Sequence, residues 1–257
     1  MLTQIVADIR RQVAETKALA PLAQFRREIQ PGQFLFSQAI KTTDWALIAE
    51  CKLMSPAKGV LVQGVTVPEL AQIYSQNGAS CLSVHTSRPF GGSIQDIGRV
   101  KAVSQLPVLC KDFMIDPYQI YQARWAGADA VLLIAAILSD LQLQQYQAIA
   151  GELGLDCLVE IHSLEELERA RTAGAHLVGI NNRDLKTFTT DVARTYELLP
   201  YCGKECLVIS ESGIAGPEEV EQLQRSGVRG ALVGEGLVKA PDIAGRTRQL
   251  ARVVVPL

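Results

Sequence analysis

Five places in the chain put groups capable of acid–base chemistry at the ends of apolar runs: Glu50 with Lys52, Lys111 with Asp112, Glu160, Asn181 with Arg183, and Glu211 with Ser212. A carboxylate accepts a proton or orients a cation, a lysine ammonium donates one, and an amide holds either in place. A desolvated lysine can also attack a carbonyl as the neutral amine. Counting by two along an extended chain sets Ile48, Glu50 and Lys52 on one face and Ala49 and Cys51 on the other. The same count pairs Leu109 with Lys111 and Leu158 with Glu160. If those faces share an interior, two lysines and three carboxylates converge, with Glu211 chiefly the partner that holds a lysine. One charge after a strand is ordinarily solvated loop; five in one pattern call for another reason. Ser212-Gly213-Ile214 and Gly234-Glu235-Gly236 suit a different task. Glycine lets a ligand approach the backbone closely, and N–H groups at a helix start face anions. Together they suggest a small phosphorylated substrate.

Eight apolar, β-rich runs must position these residues: ALIAEC ending at Cys51, then ASCLSVHT, PVLCKDF, ADAVLLI, DCLVEIH, HLVGINN, CLVISES and GALVGE. Helical patterns follow them. PYQIYQARWAGA has Pro117 at its first helical position, and SLEELERARTAGA offers Ser163 as cap with Glu166 three residues on. GPEEVEQLQRSGV starts with acids and ends at Gly227. Near-continuous apolar strands alternating with helices make a parallel sheet covered on both faces. Eight such units in 257 residues predict an α/β fold, a single (β/α)8 TIM barrel with its active site at the C-terminal ends of the strands. No glycine-rich turn follows the first run, which argues against an open dinucleotide-binding sheet. The chain reads as one domain over 1–257. About the first 40 residues precede the barrel as one or two extra helices that cap it or cover its active face.

Composition narrows the class. With 25 Lys+Arg against 27 Asp+Glu the net charge is −2, which lacks the basic footprint of a nucleic-acid binder. At 48% hydrophobic and 20% charged residues the chain can bury a sizeable core. No apolar stretch approaches the roughly 18 residues of a membrane span, and MLTQIVADIRRQVAETK mixes charges at helical spacing, unlike a signal peptide. Four of six cysteines (Cys51, Cys81, Cys110, Cys157) sit inside apolar runs as small hydrophobes, and Cys202 and Cys206 lack a second pair to complete a zinc site. The expectation is a cytoplasmic protein without metal, membrane or nucleic-acid partner, monomeric or weakly homo-oligomeric.

IAECKLMSPAKG, PVLCKDFMIDPYQIYQARWAGADAVLLI, LVEIH, GINNRDLKTF, ISESGI and LVGEGL occur in an order that resembles the indole-3-glycerol phosphate synthases across essentially the whole chain, N-terminal helices included. The resemblance implies closure of the indole ring of 1-(2-carboxyphenylamino)-1-deoxyribulose 5-phosphate in tryptophan biosynthesis, with loss of carbon dioxide and water and no cofactor. It implies Lys111 as general acid, and Lys52 as a group that binds the substrate carboxylate or phosphate and donates during dehydration. Glu160 is implied as general base or proton relay, and Glu50 as the group that positions a lysine and accepts from a substrate hydroxyl. Asn181 and Arg183 are to orient the carboxylate and the Glu50 region. Ser55, Phe90, Glu211 and Ser212 complete the substrate site, with Gly213, Gly234 and Glu235 offering backbone amides to phosphate.

The chain departs from that pattern after the second run, at Ser83-Val84-His85-Thr86-Ser87-Arg88-Pro89-Phe90-Gly91-Gly92-Ser93. His85 stands where the family has an apolar residue, Ser87 where it has an acid, and Phe90 is a lone aromatic in a loop one residue shorter. Leu53, Met54, Ala57 and Gly236 also differ. His85 is read as a packed or hydrogen-bonded histidine, His162 and His176 as packed near strand ends, and Tyr121 and Trp125 as core. Lys58 is read as contacting phosphate or solvent from a mobile loop. Two other functions stay open at this point: an imine-forming lyase using Lys111 or Lys52, and a non-catalytic paralogue that binds sugar phosphates.

Overall fold

The computed structural model describes residues 2–56, 58–184 and 189–252; Ala57 and the last four residues of GINNRDLKTF (185–188) lie outside the described residues. All eight runs are strands: β1 Ala46–Cys51, β2 Cys81–His85, β3 Val108–Lys111, β4 Ala130–Ile134, β5 Asp156–Ile161, β6 Leu177–Asn181, β7 Leu207–Glu211 and β8 Gly230–Val233. They are parallel, each beside the next in sequence, and β8 closes on β1 with Ala46 opposite Gly230. Every residue of these eight barrel strands except Lys111 is buried, so burial alone does not reveal the two faces. The packing partners do. Leu47, Ala49 and Cys51 belong to the apolar layer under the helices, whereas Ala46 and Ile48 pack inside the barrel with Leu109, Leu132, Leu158 and Ile209. Glu50, Lys111 and Glu160 continue the inward series toward the mouth, as the count by two requires.

Helix starts follow local chemistry. Pro117 opens its helix behind Asp116, which forms a reciprocal cap with Gln119. Ser163 accepts from the Glu166 N–H as expected, but the Glu166 carboxylate reaches past the cap to the N–H of His162 (2.7 Å). The expected Gly-Ala helix ends and Gly227 all turn through the left-handed region, with φ of 93°, 101°, 92° and 99° at Gly78, Gly127, Gly174 and Gly227.

Three helical segments and a 3-10 turn precede β1, more than the one or two expected, and they divide the two anticipated tasks. Leu35–Lys41 inserts Phe36 and Ile40 into the interior cluster and plugs the N-terminal end of the barrel. Its Ser37 N–H donates to Asp156 at the foot of β5 (2.8 Å). Leu2–Leu19 instead lies along the Pro117–Trp125 helix through Ile9 and Val13, fastened by Lys17–Asp116 (2.6 Å) and Glu15–Arg88 (3.0 Å), and brings Ile5 to the mouth. Trp125 and Tyr121 are not core. Trp125 is 48% exposed, lies on Phe25 (4.7 Å) and donates to Glu28, while Tyr121 is half-buried beneath Arg26 (5.5 Å). A helix that carries an added layer needs apolar residues on its outer face, and these two serve that layer. His176 is exposed near Asp156 (3.8 Å) and does not pack. Among the described residues no helix is long and apolar enough to cross a membrane.

Candidate active site

At the mouth the inward positions of successive strands form one ring: Glu50 of β1, His85 of β2, Lys111 of β3, Ile134 of β4, Glu160 of β5, Asn181 of β6 and Glu211 of β7, with Gly234 just after β8. Lys111 Nζ lies 2.7 Å from Glu211 Oε2 and 3.2 Å from Glu160 Oε2. Asn181 Nδ2 donates to Glu160 Oε1 (3.1 Å). Glu50 Oε1 accepts from His85 Nε2 (2.8 Å), and its Oε2 is 3.7 Å from Lys52 Nζ. Two glycines make room for this layer. A Cβ on Gly234 would overlap Glu50 Oε2, and one on Gly179 would overlap Glu211 Oε1.

The ring, with Lys52 beside it, holds three carboxylates against two ammoniums, and their environments separate them. Burial works against the Lys111 charge, but Glu211, Glu160 and Glu50 outweigh it and hold the ammonium well above an ordinary lysine. Burial likewise opposes ionisation of Glu50 and Glu160, yet Lys52, His85 and Lys111 pull Glu50 down, and Lys111, His162 and Asn181 pull Glu160 down. Glu211 goes the other way. Burial, with repulsion from Glu160 and Glu50, pushes it up to about 7 against Lys111, and its Oε1 is buried without a hydrogen-bond partner. Of the three carboxylates, Glu211 is the one whose surroundings favour the protonated form.

The cavity above the ring has an apolar side and a backbone side. Phe90, Phe113 and Ile5 line the former, and Leu132 and Leu232, one layer below the ring, reach its floor. Phe90 stacks flat on His85 (4.5 Å, 3°) and lies 6.2 Å from Phe113. Ser212-Gly213-Ile214 and Gly234-Glu235-Gly236 form the latter. Ser212 is itself left-handed (φ 66°), a conformation that costs an L-residue about 1–2 kcal/mol. Buried Asn182 holds it there, donating to Ser212 O and Ser210 Oγ (both 3.0 Å) while accepting from Thr195 Oγ1 (2.8 Å). The Glu235 carboxylate is engaged by Lys58 and Lys239 (2.7 Å each), so only its backbone remains for a ligand. Lys58 thus bridges the loops after β1 and β8. Ser55 Oγ accepts from the Lys58 N–H (3.2 Å).

All thirteen expected residues line this one cavity. Arg183 lines it with a buried Nε that has no hydrogen-bond partner among the described residues, while its N–H donates to Asn181 Oδ1 (3.0 Å). Phe113, Ile5 and His162 are among the residues at this site that were not expected. Phe113 lies two residues beyond Lys111 on the same parity, a signal that was available. Ile5 itself lies over 40 residues before β1 and had none. His162 is no mere packing residue: Nδ1 meets Glu166 (3.1 Å) and Nε2 lies 3.6 Å from Glu160 Oε1.

The family whose profile matches the chain is described as indole-3-glycerol phosphate synthase, over residues 2–250. Relatives of that name include one from Roseiflexus castenholzii, 44% identical and covering 97% of each chain. Another, from Desulforamulus reducens, is 44% identical over 97% of this chain and 90% of its own. A third, from Carboxydothermus hydrogenoformans, is 48% identical over 76% of this chain and 75% of its own. Among solved structures, 3-hexulose-6-phosphate synthase from Salmonella typhimurium superposes with a TM-score of 0.62 at 16% identity, covering 81% of this chain and 97% of that one. Thiamine phosphate pyrophosphorylase from Pyrococcus furiosus gives 0.62 at 16%, covering 81% and 95%. At that identity the likeness extends to the fold alone.

Proposed function

The chain belongs to the indole-3-glycerol phosphate synthase family, and from that premise we propose how its own residues divide the work. It is a decarboxylating lyase of tryptophan biosynthesis, closing the indole ring of 1-(2-carboxyphenylamino)-1-deoxyribulose 5-phosphate with loss of carbon dioxide and water. The observation that carries the assignment of roles is the position of Lys111 Nζ, between Glu211 (2.7 Å) and Glu160 (3.2 Å) below an apolar wall.

The phosphate occupies the backbone of Ser212-Gly213 and Gly234-Gly236, and the aryl group lies against Phe90 and Phe113. In ring closure the aryl carbon bonds to the ribulose carbonyl carbon, and the carbonyl π pair moves to oxygen. Lys111 then protonates that oxygen. An ammonium whose proton is held tightly still delivers it here, because the developing alkoxide is a strong base. Breaking the bond to the carboxylate releases carbon dioxide and restores the aromatic ring. Dehydration follows: Lys52 protonates the departing hydroxyl, and Glu160 takes the proton from the adjacent carbon. Two protons are given and one is recovered, so each turnover draws one from solvent. Positioned proton transfer supplies about 10²–10⁴-fold, and holding carbon against carbonyl in attacking geometry supplies much of the rest.

The charge on Lys111 also weighs against imine chemistry, since a lysine must be neutral to attack a carbonyl. Its three carboxylate neighbours oppose that state. Indole fluorescence with the wild-type chain and Glu160→Gln tests the reading. Wild type turns over, whereas Glu160→Gln completes ring closure and accumulates the species that precedes dehydration. Unchanged kinetics in Glu160→Gln would remove Glu160 from the role of base.

A further inference from the structure

His85 ends β2 directly opposite Lys111 of β3, so it belongs to the inward ring and not to the loop that follows. An apolar side chain here would leave Glu50 Oε1 without a donor in a buried site. Instead Nε2 lies 2.8 Å from that oxygen, and the ring stacks on Phe90 at 4.5 Å and 3°. Lys52 Nζ stands over the Phe90 ring (5.3 Å), and Lys52 returns to Glu50 Oε2 at 3.7 Å. Four side chains thus close a circuit, Glu50 to His85 to Phe90 to Lys52 and back. It ties the aromatic wall of the cavity to the charged groups beneath it.

The charged groups facing His85 are Glu50, Lys52 and Lys111. Burial and the two lysines keep the imidazole neutral against the pull of Glu50. Glu50 is held ionised by Lys52, His85 and Lys111. An ionised carboxylate can only accept, so the single ring proton sits on Nε2.

We propose that His85 is a positioning residue for ring closure: its Nε2–H fixes the Glu50 carboxylate that holds Lys52, and its face fixes Phe90 as the wall for the aryl group. The proposal rests on the assignment of Glu50 and Lys52 to the site. Its two halves separate by substitution. His85→Phe keeps a ring against Phe90 and strands Glu50 Oε1, so kcat falls about tenfold or more while KM changes little, the loss of one hydrogen bond to a charge. His85→Gln keeps a donor near the same place and removes the stacked face. KM then rises about two- to tenfold with kcat largely retained, the range of one aromatic pair. Equal effects of the two substitutions on the same parameter, or a kinetically wild-type His85→Leu, overturn the proposal. A second measurement needs no variant: ring ¹⁵N shifts of the wild-type protein show the neutral Nε2–H tautomer, and an imidazolium or Nδ1–H pattern overturns it. Glu50→Gln, assayed alongside, separates this proposal from the reading beneath it. An intact Glu50→Gln refutes the role of Glu50, whereas a crippled Glu50→Gln beside an intact His85→Phe refutes the role of His85 alone.

Discussion

Replacing Lys111 by Met removes an ammonium and leaves most of its volume, which separates its chemical from its structural duty. Without the general acid, kcat falls about 10²–10⁴-fold. KM stays within a few-fold, because the phosphate loops and the aryl wall are untouched. The structural cost depends on pH. Lys111 lies 2.7 and 3.2 Å from two buried carboxylates, and without it neither can ionise in the ring at low cost. A carboxyl whose folded pKa is raised leaves full stability below the ordinary value of 4.5, and stability falls as pH rises toward the folded pKa. In the wild type that fall ends near 7 for Glu211, and Glu160 moves the opposite way because Lys111 favours its ionised form. In the variant both carboxyls are raised, and the fall continues through neutral pH at about 1.36 kcal/mol per pH unit for each group still protonated. The stability gap is therefore small near about pH 5 and grows to about 3–5 kcal/mol by about pH 8, the cost of breaking a buried pair. Urea denaturation at the two pH values reads it directly. Adding Glu211→Gln to the Lys111→Met chain restores stability at the higher pH and restores no activity. A gap of equal size at both pH values would refute the buried-charge argument, and a kcat within tenfold of wild type would refute the general acid.

Gly234→Ala drives a Cβ into Glu50 Oε2 and should act on chemistry more than on phosphate binding, lowering kcat about tenfold or more as the His85–Glu50 bond is strained. A rise in KM alone would show that Gly234 serves only the phosphate. Asp112 is half-buried, and desolvation pushes its carboxyl up to about 6 despite hydrogen bonds from Thr86 Oγ1 (2.6 Å) and the Phe113 N–H (2.8 Å). Stability from this acid is lost as pH climbs from 3.8 to about 6, so Asp112→Asn should match wild type near about pH 3.8 and exceed it by about 1–2 kcal/mol above about pH 6, a figure reduced for partial exposure. Thermal melts across that range test it, and a variant less stable at neutral pH contradicts it.

The strands were legible because a parallel strand in a barrel is apolar on both faces, and all eight runs stand out from the helices between them. Parity then placed Glu50, Lys111 and Glu160 inside without any view of the fold. The same count from Cys81 sets His85 on the inner face, but its partner could not be read, since Glu50 is 35 residues away and only strand pairing brings them together. The N-terminal segment was least legible for a related reason. Phe36 and Ile40 differ in no visible way from residues of a surface helix, and nothing local says that they fill the end of a barrel. Trp125 misled because a large aromatic in a helix ordinarily means core. Here it serves a second layer whose existence depends on residues about a hundred positions earlier.

The glycines show how an interior of this size tolerates three carboxylates. A layer at the mouth of an eight-stranded barrel is normally filled by side chains from alternate strands. Substituting long acids there would overfill it unless neighbours give up atoms. Gly179 and Gly234 do so beside Glu211 and Glu50 respectively, each on an inward position where a methyl group would collide with a carboxylate oxygen. The carboxylates consequently lean across strands toward the lysines and do not extend into solvent. Their orientation is set by covalent shape as much as by charge, and this matters for catalysis. A cluster held only by Coulomb attraction would rearrange when substrate charge enters, whereas one confined by backbone keeps Lys111 aimed at the same point through binding and reaction. Gly234, legible in the sequence only as part of a phosphate loop, thus serves two ends at once, offering backbone to the ligand on one side and space to Glu50 on the other.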